Sequence, residues 1–137
     1  MLPYYGVFDN LAFQVEGAKV RLLGEVTRPT LKSEAETAVK HIEGVESVDN
    51  RIEVLPVSPN DDRIRMAVYR AVYRQASLSR YALQAMPPIH IIVKNGRVRL
   101  EGVVATEMDK NLAGMRARGV SGVFGVENNL RVEKQPS

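Results

Sequence analysis

Ile89-His90-Ile91-Ile92-Val93-Lys94-Asn95-Gly96-Arg97-Val98-Arg99-Leu100-Glu101 carries the plan of the fold. Ile89, Ile91 and Val93 alternate, Asn95-Gly96 supplies the two positive-φ residues of a tight turn, and Val98 and Leu100 resume the alternation, which together predict a β-hairpin. Its outward positions, Arg97, Arg99 and Glu101, are charged, so one sheet face meets water while the other is buried. Downstream, Thr106-Glu107-Met108-Asp109 resembles a capping box opening a helix that Gly119 or Gly122 ends in a left-handed cap. Val123, Val126, Leu130 and Val132 then form a third strand. A strand–helix–strand crossover of this length sets the second and third strands parallel, with the helix over the apolar face.

The same plan occurs twice. Residues 13–54 align without a gap with residues 91–132 at a constant offset of 78, and 13 of the 42 positions are identical. Val20-Arg21-Leu22, Gly24 and Val26 match Val98-Arg99-Leu100, Gly102 and Val104. Gly44-Val45, Val48, Asn50 and Val54 match Gly122-Val123, Val126, Asn128 and Val132. Identities at glycines and alternating apolar positions indicate a shared backbone plan. In the first copy Pro29 opens the helix and Leu31, Ala35, Ala38, Val39 and Ile42 follow helical spacing, leaving Lys32, Glu36, Lys40 and Glu43 to solvent. Its hairpin turn reads Glu16-Gly17-Ala18-Lys19, a less favourable chemistry than Asn-Gly.

Between the copies, Leu55-Pro56-Val57-Ser58-Pro59 is a stiff linker, and Asn60-Asp61-Asp62 offers an N-cap and first-turn acids for a helix through about Gln75. Ile64, Ala67, Val68, Ala71 and Val72 form its core stripe. Two domains are therefore expected, 1–57 and 58–137, and the second runs helix–strand–strand–helix–strand. By the offset, the first domain's opening helix would lie before residue 1. The preferred expectation is a shortened chain. A misassigned start, or partial cover of the sheet by Tyr4, Tyr5, Val7, Phe8 and Leu11, is the alternative.

The run from Val93 to Val104 and the run Gly122-Val123-Phe124-Gly125-Val126-Glu127-Asn128-Asn129-Leu130-Arg131-Val132 resemble the BON domain, known from bacterial osmotically inducible and nodulation-type proteins. Both motifs are structural rather than catalytic. The resemblance implies an α+β fold, an α/β sandwich of two αββαβ units, each a three-stranded mixed sheet with helices on one face; the sequence departs from that pattern in lacking the first unit's N-terminal helix and an export signal. The resemblance also implies phospholipid or envelope association, usually in an exported, periplasmic protein.

Composition narrows the chemistry. The chain of 137 residues is 45% hydrophobic and 26% charged, as in globular proteins. With no cysteine, disulfides, thiolate nucleophiles and Cys-ligated metals are excluded. The N-terminus Met1-Leu2-Pro3-Tyr4-Tyr5-Gly6 has neither the basic start nor the apolar run of a signal peptide, and no segment approaches the ~18 apolar residues of a membrane span. A net charge of +3 favours anionic partners mildly, without the lysine and arginine blocks of nucleic-acid arms.

Catalytic candidates are sparse. His41 and His90 form no metal set and have no nucleophile beside them, so no enzyme, metal, cofactor or small-molecule substrate is expected. Asp61-Asp62 suggests paired carboxylates, but neighbours on a helix diverge by about 100°, which favours capping. Gly119-Val120-Ser121-Gly122 matches the GXXG loop of KH domains; the strand that follows makes it a helix stop, and nucleic acid is not expected. Asn50 and Asn128 share the parity of the inward valines, as bulge or backbone-bonding residues rather than ligand contacts. The helix at 61–75 is the most informative surface: Met66, Tyr69 and Tyr73 cluster opposite the core stripe, flanked by Arg63, Arg70 and Arg74, with Arg80 and Tyr81 beyond. Aromatic rings beside arginines suit an anionic phospholipid headgroup layer. They equally suit an interface with an envelope protein, and a protein–protein or cell-wall interaction module is the alternative function.

Overall fold

The computed structural model describes residues 5–133, and the chain divides into two compact units, Met1–Pro56 and Val57–Ser137. In the first, β1 (Asn10–Glu16) and β2 (Lys19–Val26) form an antiparallel hairpin. Helix α1 (Pro29–Lys40) then crosses the sheet and returns the chain to β3 (Ser47–Asn50) and β4 (Glu53–Val54), both parallel to β2. Pro29 takes the first helical position, where its missing N–H costs nothing. Val20, Leu22, Val26, Leu31, Ala35 and Ile52 are the buried core.

The second unit repeats this and adds a helix. Helix α2 (Pro59–Tyr73) is followed by a 3-10 turn (Ser79–Leu83), the antiparallel pair β5 (His90–Lys94) and β6 (Arg97–Glu101), and β7 (Val103–Val104). Helix α3 (Glu107–Arg118) leads to β8 (Gly125–Asn128), parallel to β6, and β9 (Arg131–Val132), parallel to β7. The hairpin turn has the predicted form, with φ of 52° at Asn95 and 78° at Gly96. Gly24 and Gly102 share a different constraint. Both have positive φ, and a Cβ there would lie 2.0 Å from the Asn10 carbonyl oxygen or 1.9 Å from that of Pro88.

The third strand of each unit is broken rather than continuous, and an asparagine breaks it. Asn50 Nδ2 donates to the Lys32 carbonyl at 2.9 Å while its Oδ1 accepts from the Ile52 N–H. Asn128 does the same with Lys110, at 2.8 Å, and Leu130. Each side chain satisfies a helix carbonyl and the N–H of the residue in the strand break at once, as backbone-bonding asparagines do.

Two sequence expectations need correction. Helix α2 is capped by Ser58, whose hydroxyl accepts from the Asp61 N–H, and not by Asn60. Helix α3 stops at Gly119 with right-handed geometry, and the positive φ belongs to Gly122. The two sheets also differ in cover. Ile91 and Val93 lie under α2 with 0% exposure, whereas their counterparts Phe13 and Val15 are 70% and 60% exposed. Tyr5 and Leu11 pack at one side of the first core; Tyr4 lies outside the described residues. An apolar groove of about 430 Å³ remains along Phe13, Val15, Val39 and Ile42.

Candidate functional site

Helix α2 buries Ile64, Val68 and Val72 completely, one residue per turn facing the second sheet. Arg65 and Tyr73 flank that stripe and are buried too. Arg65 is paired at both ends of its fork: Nη1 meets Asp62 at 2.6 Å and Nη2 donates to the Val93 carbonyl at 2.7 Å. Asp61, also buried, accepts the N–H groups of Asn95 and Gly96, each at 2.9 Å. Its carboxylate therefore caps the hairpin turn rather than its own helix.

The eight candidate residues do not form one surface. Arg63, Met66, Arg70 and Arg74 are exposed on α2, Met66 by 45%. Arg63 reaches back to the Ser121 carbonyl at 3.4 Å and to Asn60. Tyr69 sits half-buried at the border, its ring centroid 4.9 Å from that of Tyr73.

Tyr73 and Tyr81 are corrections, because both are 5% exposed. The Tyr73 hydroxyl donates to the Ile89 carbonyl at 2.7 Å and accepts the Ile89 N–H at 3.1 Å. That pairing draws the ring inward, since two backbone groups just ahead of β5 would otherwise be stranded. Burial holds its hydroxyl pKa far above the ordinary value. Tyr81 donates to Asp109 at 2.6 Å and accepts from the Ala105 N–H; burial first, then the Asp109 bond, raise its pKa as well. Arg80 is half-exposed but ion-paired with Asp109 at 2.5 Å, bonded to the Ser77 carbonyl, and stacked 4.5 Å from the Tyr81 ring centre. It fastens the 3-10 turn to the start of α3. Asp109 is thereby taken from the reciprocal half of a capping box, although Thr106 still accepts its N–H.

What the sequence did not single out is Arg116. It projects from α3 into a cleft of about 300 Å³ shared with Arg70, Ala71, Arg74 and Gln75 of the α2 segment. The register that sets Arg116 beside Arg74, 42 residues earlier in the sequence, exists only once the two helices pack. On the opposite sheet face, Lys94, Arg97 and Arg99 line a shallow surface with Glu127, and Arg99 is paired with Glu101 at 2.8 Å.

Among the described residues no group of three or more His, Asp or Glu side chains could hold a metal, and no helix is long and apolar enough to cross a membrane. His41 lies exposed at the end of α1 and His90 half-buried in β5. In the Gly119–Gly122 loop, the Ser121 carbonyl is engaged by Arg63.

A family model described as BON domain matches residues 7–56 and 60–134. Among solved structures, the chain is similar to the C-terminal domain of CdsD, the structural protein of the type III secretion system of Chlamydia trachomatis. That likeness has 14% identity over 93% of this chain and 91% of that one, with a TM-score of 0.42. A second structure of CdsD gives 13% identity over 92% and 86%, with a TM-score of 0.41. No curated protein matches the chain.

Proposed function

This chain belongs to the BON domain family, as two domains in tandem, and we propose that it is a non-enzymatic binding protein of the bacterial cell envelope that docks peripherally on anionic phospholipid membrane through its second unit. The family is a non-catalytic, binding-type domain linked to envelope and periplasmic proteins. The observation that carries the membrane reading is the exposed strip of α2, where Met66 stands among Arg63, Arg70 and Arg74 with Tyr69 at the border. An apolar side chain flanked by cations can enter the headgroup boundary while the guanidiniums meet phosphate.

Co-sedimentation with phosphatidylglycerol vesicles tests this. Binding is expected to weaken with added salt, to be absent on phosphatidylcholine, and to fall several-fold in a Met66→Ser, Tyr69→Ser double variant. Tyr73 is unsuitable for that variant because its loss would damage the core. Failure of the wild-type chain to sediment with anionic vesicles would end the proposal. A second reading, a protein-binding module, is favoured by the first unit's open groove along Phe13 and Val15; co-purification with an envelope protein in the absence of vesicle binding would support it.

A further inference from the structure

Arg70 and Arg74 stand one turn apart on α2 and its cap, and Arg116 faces them from α3 across a cleft whose other lining residues are Ala71 and Gln75. Among the described residues no carboxylate lines it. Among the described residues, none of the three side chains makes a hydrogen bond or an ion pair. Elsewhere in the same unit Arg65 is paired with Asp62, Arg80 with Asp109 and Arg99 with Glu101. Three arginines that line one concavity without a carboxylate among its lining residues concentrate positive potential there, an arrangement that an anion relieves. The small side chain of Ala71 leaves room between the two α2 arginines.

We propose that this cleft is a phosphate-binding site, taking the phosphate group of a lipid headgroup or of a soluble phosphate. Guanidinium forks match phosphate oxygens in pairs, and three of them can engage a single phosphate from two helices. The lipid source rests on the membrane reading above; the phosphate chemistry of the cleft does not. The first unit has no equivalent, since Ala38 occupies the position matching Arg116, so the site belongs to the second unit alone.

The test has two arms and uses the full chain. In the first, inorganic phosphate is titrated against chloride at equal ionic strength while arginine side-chain and α2 and α3 amide NMR signals are followed. Saturable shifts specific to phosphate are expected, with affinity falling about tenfold in Arg116→Gln, the loss of one charge-assisted contact, and unchanged in an Arg118→Gln control. In the second, sedimentation with phosphatidylglycerol vesicles compares the same variants. Weaker sedimentation of Arg116→Gln identifies the lipid as the source, whereas phosphate shifts without vesicle binding uphold the cleft for a soluble phosphate and overturn the membrane reading. Phosphate shifts absent, or equal in Arg116→Gln and wild type, overturn the cleft even if vesicles still bind through Met66 and Tyr69.

Discussion

The buried carboxylate of Asp61 accepts the backbone N–H of Gly96 at 2.9 Å across 35 residues of sequence, with the Asn95 N–H on its other oxygen. The first turn of α2 is thus bonded to the turn of the hairpin it covers. Replacing Asp61 by Ala strands two N–H groups, and loss of a charged acceptor from a buried site costs about 2–3 kcal/mol. Asp62→Ala removes the exposed partner of the buried Arg65, which keeps its bond to the Val93 carbonyl, and is expected to cost less, about 1–2 kcal/mol. Amide hydrogen exchange of Ile91 and Val93 measures the difference. Equal acceleration in both variants would show that the Asp61 contact adds nothing.

Asn50 and Asn128 make a matched pair of perturbations. Asn128→Ala leaves the Lys110 carbonyl and the Leu130 N–H without their partner, and Asn50→Ala does the same to Lys32 and Ile52. Each is expected to destabilise its own unit by about 1–2 kcal/mol, measured by urea unfolding followed through exchange-protected amides of that unit. Protection lost in the unsubstituted unit instead would contradict the local role.

Tyrosine ionisation makes the second unit sensitive to alkali. The ordinary tyrosine pKa is 10.0, and burial raises that of Tyr73 well above it, so the unfolded chain releases this proton at a lower pH than the folded one. The stability involved is complete below pH 10 and drains away as pH rises beyond it. Tyr73→Phe should cost about 1 kcal/mol at neutral pH, from the lost Ile89 bonds, and should lose less with rising pH. Thermal melts at pH 8 and pH 11 would then show the two proteins converging; a constant gap would refute the buried hydroxyl.

Much of this architecture is written locally. The Asn95-Gly96 turn, the alternation from Ile91 to Leu100 and the helical spacing from Leu31 to Val39 each follow from residues within one or two turns of one another, and the repeat doubles every such signal. The surface was harder. A tyrosine has an apolar ring and one polar atom, so Tyr73 fits either a wet face or a buried one, and Ile89, sixteen residues away, decides between them. Arg116 was invisible for the same reason: its meaning depends on Arg70 and Arg74 across a helix pair. The parity of Asn128 placed it inward, yet the Lys110 carbonyl that receives it emerged only from the packing of α3.

The two units make opposite predictions for one aligned position. Phe13 and Ile91 occupy equivalent places on their hairpins, but Phe13 is 70% exposed and Ile91 is 0% exposed beneath α2. Truncating a buried isoleucine to alanine costs about 2–5 kcal/mol, because the lost transfer energy is joined by a cavity, whereas an exposed side chain distant from such features costs within about 0.5 kcal/mol. Ile91→Ala is therefore expected to unfold the second unit at markedly lower denaturant, and Phe13→Ala to leave the first unit nearly unchanged. Separate exchange-protected amides in β2 and β6 report each unit within one sample. A cost above about 2 kcal/mol for Phe13→Ala that grows with protein concentration would mean that the Phe13 face is covered in solution by a second copy of the chain.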